Sequence, residues 1–282
     1  MNVHTRKFRC RETNARPLAR TRWPSWIRTP AVWISILIPA GASLAGPPLV
    51  LDDPHTIGSG NVEAILAVSS LEQAGRISTQ APLIDLGLGL IHGLDLNLIG
   101  SPTHAADDTE ALPIQGNIAG SLKWQFLQAD HWNASLTPGI AVNLRSGGRK
   151  SVVLPLQIEY ARGRFAWGLD GTYLFVMEDT DQWLAGSYAS FRYRDGLFLL
   201  AEVWALGVRE GKSTDLGISG GIDWRTPLGP RLLASAGTDI ASFGIERIEW
   251  RVYLGLQWNF RLWDGLQHGP SPEQKGTIPA EP

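Results

Sequence analysis

Residues Arg247 to Phe260 read Arg-Ile-Glu-Trp-Arg-Val-Tyr-Leu-Gly-Leu-Gln-Trp-Asn-Phe. Every second residue, Trp250, Val252, Leu254, Leu256, Trp258 and Phe260, is apolar, and the residues between them are mostly polar or small. A repeat of two is the signature of a β-strand, whose side chains alternate between two faces. One face is then continuously apolar with aromatics at both ends, and the other can meet water. A strand that crosses a membrane needs about 9–11 residues and carries aromatics at the interfaces, and this stretch has both. Its ending, Gly255-x-x-Trp258-x-Phe260, resembles the signal that outer-membrane barrels present to the barrel assembly machinery.

Working back from that strand, the chain repeats one unit from Asn61 onward: an alternating run followed by a break. Twelve runs are counted, among them Gln80–Leu90, Gln115–Leu127, Trp132–Leu144, Val152–Tyr160, Phe165–Val176 and Thr214–Trp224. Leu197–Leu206 is apolar almost throughout and gives no facing, and Gln182–Tyr193 alternates only weakly. The second, fourth, sixth, eighth and tenth breaks are short, whereas Leu71–Thr79 and Ser101–Ile114 are expected as long loops on the other side. Short periplasmic turns with longer outer loops are the outer-membrane pattern. Trp124, Phe126, Trp132, Tyr160, Phe165, Trp167, Tyr193, Trp224, Trp258 and Phe260 all fall at the periplasmic ends of the runs and predict one aromatic girdle. The expected fold is an all-β, transmembrane, antiparallel up-and-down β-barrel of about 12 strands, in the bacterial outer membrane.

Composition agrees. No apolar run approaches the roughly 20 residues of a spanning helix, and a hydrophobic content of 44% excludes a helical membrane bundle. Residues 1–45 hold eight Lys and Arg against the single acid Glu12, then an apolar run from Ala31 to Leu44, broken by Pro39, and Ser43-Leu44-Ala45. That is the pattern of a secretory signal peptide, with cleavage expected before Gly46. The whole chain carries 25 Lys and Arg against 27 Asp and Glu; without the leader 17 stand against 26, a net charge near −9. Such a surface disfavours nucleic acid, which needs clustered cations. The one cysteine, Cys10, belongs to the leader, so the mature chain is expected to have no disulfide and no thiol chemistry. The remaining organisation is a periplasmic lead-in or mouth segment (46–60), the barrel (61–262) and a disordered periplasmic tail (263–282).

The alternation also assigns a lumen. Glu63, Asp85, Asp95, Glu159, Asp170, Glu202, Asp215 and Asp223 point inward, with Lys123, Arg192 and Arg251 as counter-charges. Ionisable residues at membrane depth are costly unless they pair or line water. Two readings follow: a polar, acid-biased conduit, or an ion-pair network that fills a closed barrel. Asp52, Asp53 and Pro54 are candidates to plug or gate the periplasmic mouth. No catalytic residue, cofactor or metal site is expected. The histidines stand apart from any serine at a recognisable motif spacing, and His104 beside Asp107, Asp108 and Glu110 reads as a solvated acidic loop. Outer-membrane lipids and lipopolysaccharide, the assembly machinery and a small-molecule solute are the expected partners.

Several stretches resemble one family. Pro48-Leu49-Val50-Leu51-Asp52-Asp53-Pro54 with Gly58-x-Gly60-x-x-Glu63, Ala81-Pro82-Leu83-Ile84-Asp85-Leu86, Gly120-Ser121-Leu122-Lys123-Trp124-Gln125-Phe126 and Tyr253-Leu254-Gly255-Leu256-Gln257 resemble the meta-pathway phenol-degradation family of proteobacterial outer-membrane proteins. The family pattern has Thr where Leu51 stands. The resemblance implies a barrel and passive uptake of small hydrophobic or aromatic molecules, and it carries over no catalytic residues. A non-conducting structural or surface-interaction barrel is the alternative function, and a lipid hydrolase acting through His104 is the third.

Overall fold

A computed structural model of the protein describes residues 48–105, 116–144, 149–177, 179–209, 213–226, 229–243 and 247–263. The expected leader and all but the first residue of the expected tail lie outside these residues. The strands are β1 (Asn61–Gln73), β2 (Arg76–Ile91), β3 (Leu94–Ala105), β4 (Gly116–Gln128), β5 (Trp132–Leu136), β6 (Gly139–Asn143), β7 (Arg149–Arg162), β8 (Phe165–Val176), β9 (Gln182–Arg194), β10 (Leu197–Val208), β11 (Thr214–Arg225), β12 (Arg231–Phe243) and β13 (Ile248–Arg261). β5 and β6 are two parts of one crossing. They are interrupted at Thr137-Pro138, where the proline has no amide hydrogen to give the ladder. The neighbours bridge the gap, since Thr137 N donates to the Pro155 carbonyl and Pro138 O accepts from Leu122 N, each at 3.0 Å.

Every crossing pairs antiparallel with the one before and the one after, and β1 pairs with β13, so the sheet closes as a 12-stranded barrel. The closing register puts Val62 opposite Phe260 and Ala67 opposite Gly255, as expected for a last strand that returns to the first. Among the described residues closure leaves no strand at a sheet edge, which a lipid environment requires. Outward faces carry exposed apolar side chains along most of the wall: Leu66 and Val68, Leu96 and Leu98, Leu154 and Leu156, Val252 and Leu254. Trp124, Phe126, Trp132, Phe165, Tyr193 and Phe260 are exposed at the ends the sequence assigns to the periplasm. The turns at that end are tight. Gly93, Gly163 and Gly196 each hold positive φ, from 64° to 75°, in two-residue connections that favour glycine.

Two sequence expectations are corrected on the outer side. Leu71–Thr79 is no long loop: β1 and β2 continue through it and meet at Ala74-Gly75, whose φ values of 51° and 71° make a mirror-image two-residue turn. Ser101–Ala105 likewise belongs to β3, so His104 sits in a strand and not in an outer loop, while Asp107, Asp108 and Glu110 lie outside the described residues. In both places the alternation weakens to polar and small residues, because a strand that rises past the bilayer has water on both faces and no reason to alternate.

Candidate functional site in the lumen

The interior is occupied by the chain's own lead-in. From Gly60, whose amide donates to the Gly89 carbonyl at 2.9 Å, the segment runs back into the barrel to Pro48, whose carbonyl accepts from the Ser235 hydroxyl. It has no regular structure, so its amides need partners from the wall. Lumen carboxylates supply them. Glu202 accepts from Val50 N and Leu51 N at 2.9 Å each, Asp170 from Asp52 N at 3.2 Å, and Asp95 from Ile57 N at 2.6 Å. Glu159 bonds the His55 ring through Nε2 at 2.7 Å and accepts from the Tyr188 hydroxyl at 2.9 Å.

Lys123 on β4 is the cationic counterpart. Its Nζ lies 2.8 Å from Asp52 Oδ2 and donates to the Asp53 carbonyl at 2.8 Å. Asp52 and Lys123 are both buried, so the pair is shielded from salt far more than a surface ion pair. Burial pushes the Asp52 carboxyl above its ordinary range, against the pull of the Lys123 ammonium. The His55 ring is pushed up to about 9, chiefly by its hydrogen bond to Glu159, while partial burial works in the opposite direction.

The other anchor is apolar. Val50 and Leu51 are buried against Tyr188 of β9 and Trp204 of β10, with Leu49, Leu184 and Leu206 packed around them. Glycines make room for the segment. A Cβ added at Gly87 would strike the Ile57 side chain, at Gly89 the Gly58 carbonyl, and at Gly186 the Val203 carbonyl of the wall and then the Leu51 side chain. Below the segment, toward the periplasm, a cavity of about 800 Å³ remains, lined by Asp53, Glu63, Asp95, Glu159, Arg192 and Arg231 among others. Asp95 is 1% exposed, and its Oδ1 has no hydrogen-bond partner.

Of the residues that the sequence assigns to the lumen, Asp95, Lys123, Glu159, Asp170 and Glu202 converge on the inserted segment. Glu63 bonds Gln257, and Asp223 pairs with Arg231. Asp85 stands opposite the buried Ile65, which puts it on the inner face. Asp215 accepts from Ser242 toward the outer end, and Arg251 lies with Cζ 4.5 Å over the Trp204 ring. Arg192 is exposed near the periplasmic mouth, donating to the Gly163 carbonyl at 3.2 Å. Asp52, Asp53 and Pro54 are corrected in position: they sit within the barrel, with Asp52 held between β4 and β8, and not at its mouth.

Asp239, Tyr188 and Trp204 escaped the sequence reading. Asp239 is fully buried and accepts from Ile248 N at 2.6 Å, but it lies just past the point where the alternation of its strand fades. For Tyr188 and Trp204 the missing signal has a cause. On β10 the inner face is apolar too, covered by Leu49–Leu51, and on β9 the outward positions Ala185, Ser187 and Ala189 are small or polar, so neither strand shows a clear contrast between its faces.

A closed, lipid-facing antiparallel barrel with an ionisable interior is a barrel of the bacterial outer membrane. Among solved structures it is similar to an outer-membrane channel from Pseudomonas putida F1, with TM-score 0.54 and 13% identity over 74% of this chain and 98% of that one. It is also similar to the NanC porin (TM-score 0.53, 6% identity, 69% and 98%) and to the KdgM porin (TM-score 0.51, 8% identity, 70% and 99%). At such identities the likeness is one of fold. No protein-family model matches the chain, and no curated protein does.

Proposed function

We propose that the protein is an outer-membrane channel for passive uptake of small solutes, and that Pro48–Gly60 is its internal plug. The observation that carries this reading is the bonding of the segment. Three wall carboxylates accept its backbone amides, and an ion pair and a histidine bond tie down its polar side chains. A barrel closed for purely structural reasons would be filled by side chains of its own strands; here a separate segment fills it and is joined to the wall through groups that water or a solute could replace. The similar solved barrels include a channel and porins, which supports conduction as the class of activity. Hydrophobic or aromatic solutes fit the inner wall of β9 and β10, where withdrawal of the plug would uncover Tyr188, Trp204, Leu184 and Leu206. The apolar outer belt fits contact with outer-membrane lipids and lipopolysaccharide, and the closing strand fits delivery by the barrel assembly machinery.

The test is conductance. Deleting Pro48–Gly58 is expected to raise single-channel conductance in a planar bilayer several-fold, and to let proteoliposomes swell with phenol and with small sugars. A folded barrel whose conductance does not change, and which swells with no solute, would establish the non-conducting structural reading instead.

A further inference from the structure

The plug's binding partners also define what the open channel would select. Each of Asp95, Glu159, Asp170 and Glu202 faces the lumen and is buried, at 1–5% exposed, and each is bonded by at least one nitrogen of the plug. Glu159 and Glu202 have one further partner each on the wall, Tyr188 and Ser219, and Asp170 has Thr172 at 2.9 Å and Gln157 at 3.5 Å. For Asp95, a lining residue of the lumen cavity, the only bond among the described residues is the one from Ile57, and its Oδ1 is buried without a partner.

We propose that when the plug withdraws these four carboxylates become a track for cations, so that the open channel passes positively charged solutes in preference to anions. This rests on the plug reading above. The plug is then a tethered occupant of the solute's own path, holding by N–H donation the acceptors a permeating cation would use. A buried carboxylate that loses its donors must find others, take up a proton or pair with a cation. Withdrawal frees one opposing ammonium, that of Lys123, against the four carboxylates. Of the other lumen cations, Arg231 stays paired with Asp223, and Arg251, over the Trp204 ring, stays a counter-charge to Glu202 and Asp239, so the carboxylates still outnumber the cations. Fixed charge of one sign in a low-dielectric wall concentrates the opposite ion. Among charged solutes, those favoured are therefore small inorganic cations, which pair with the track, and organic cations bearing N–H groups, which also donate to it.

The experiment is the zero-current potential across a planar bilayer in a tenfold KCl gradient, measured on the chain lacking Pro48–Gly58. A cation-to-anion permeability ratio several-fold above one is expected, falling toward one when Asp170→Asn and Glu202→Gln are added. A ratio at or below one overturns the inference while leaving the plug intact as an idea; a folded barrel whose conductance does not rise on deletion removes both. If the deletion variant does not fold, full-length Leu51→Gly, which keeps every wall residue and loses the plug's apolar anchor, gives the same readout.

Discussion

His55 joins the inserted segment to the wall through a single bond to Glu159, and if the segment is the plug proposed above, that bond makes its docking depend on pH. Its ring is pushed from 6.5 to about 9 in the seated plug, by the Glu159 hydrogen bond first and then by the charges of Asp53 and Glu159. A pKa higher in the docked than in the released state means that docking is linked to the protonated ring. The stabilisation is therefore complete below 6.5, fades as the pH rises, and is gone above about 9. The side chain is half-exposed, so solvent screening keeps the effect modest. Full-length channels are expected to open more often as the pH is raised through that window, while His55→Ala is flat across it. A full-length channel whose open probability is level from about pH 6 to about pH 9.5, the span of the shift, would show that His55 does not latch the plug.

At the scale of elements, the reading of β10 shows what alternation can and cannot report. A strand between lipid and water alternates, and β4 does so well enough that Lys123 could be placed inward from its sequence alone. β10 lies between lipid and the apolar turn of the plug, so both of its faces are greasy and the period of two vanishes. The inserted segment was legible as a run too rich in proline and glycine for a regular element, with Asp52, Asp53 and Pro54 as candidates to plug the mouth; nothing in a non-periodic segment states how deep it will reach or which wall it will touch. The glycines of β2 carried the missing information. Gly87 and Gly89 face inward where the plug runs against the strand, whereas a methyl group added at Gly120 of β4 would meet no atom nearer than 3.9 Å. Gly89→Ala is thus expected to push out the Gly58 carbonyl and speed proteolysis of the plug by several-fold in native membranes, and Gly120→Ala to leave the cleavage rate unchanged. Equal rates in the two variants would mean that the segment does not pass against β2.

For the whole molecule, closure is the property that the sequence expressed most fully, because it depends on the one pattern that lipid imposes on every strand. An even number of crossings, short turns at one end and a last strand returning to Val62 were all deducible: the strand order bears out the first two and the pairing of β1 with β13 the third. The height of the barrel was not deducible, since β1, β2 and β3 run on into water where alternation has no driving force. That contrast yields a depth test. Leu254 is 57% exposed on the outer face of β13, opposite Val68 of β1, whereas Phe260 is 51% exposed near the periplasmic end of the same strand. Exposure is alike at the two sites, so a soluble barrel would tolerate arginine equally at both. In a bilayer the charge costs about 2–4 kcal/mol at the midplane and about 0–1 kcal/mol near the interface. Unfolding from lipid vesicles by guanidinium is therefore expected to show Leu254→Arg destabilised by about 2–4 kcal/mol and Phe260→Arg by clearly less, the difference measuring how deep β13 lies; equal costs would place both residues at the same depth and contradict the barrel's orientation in the membrane.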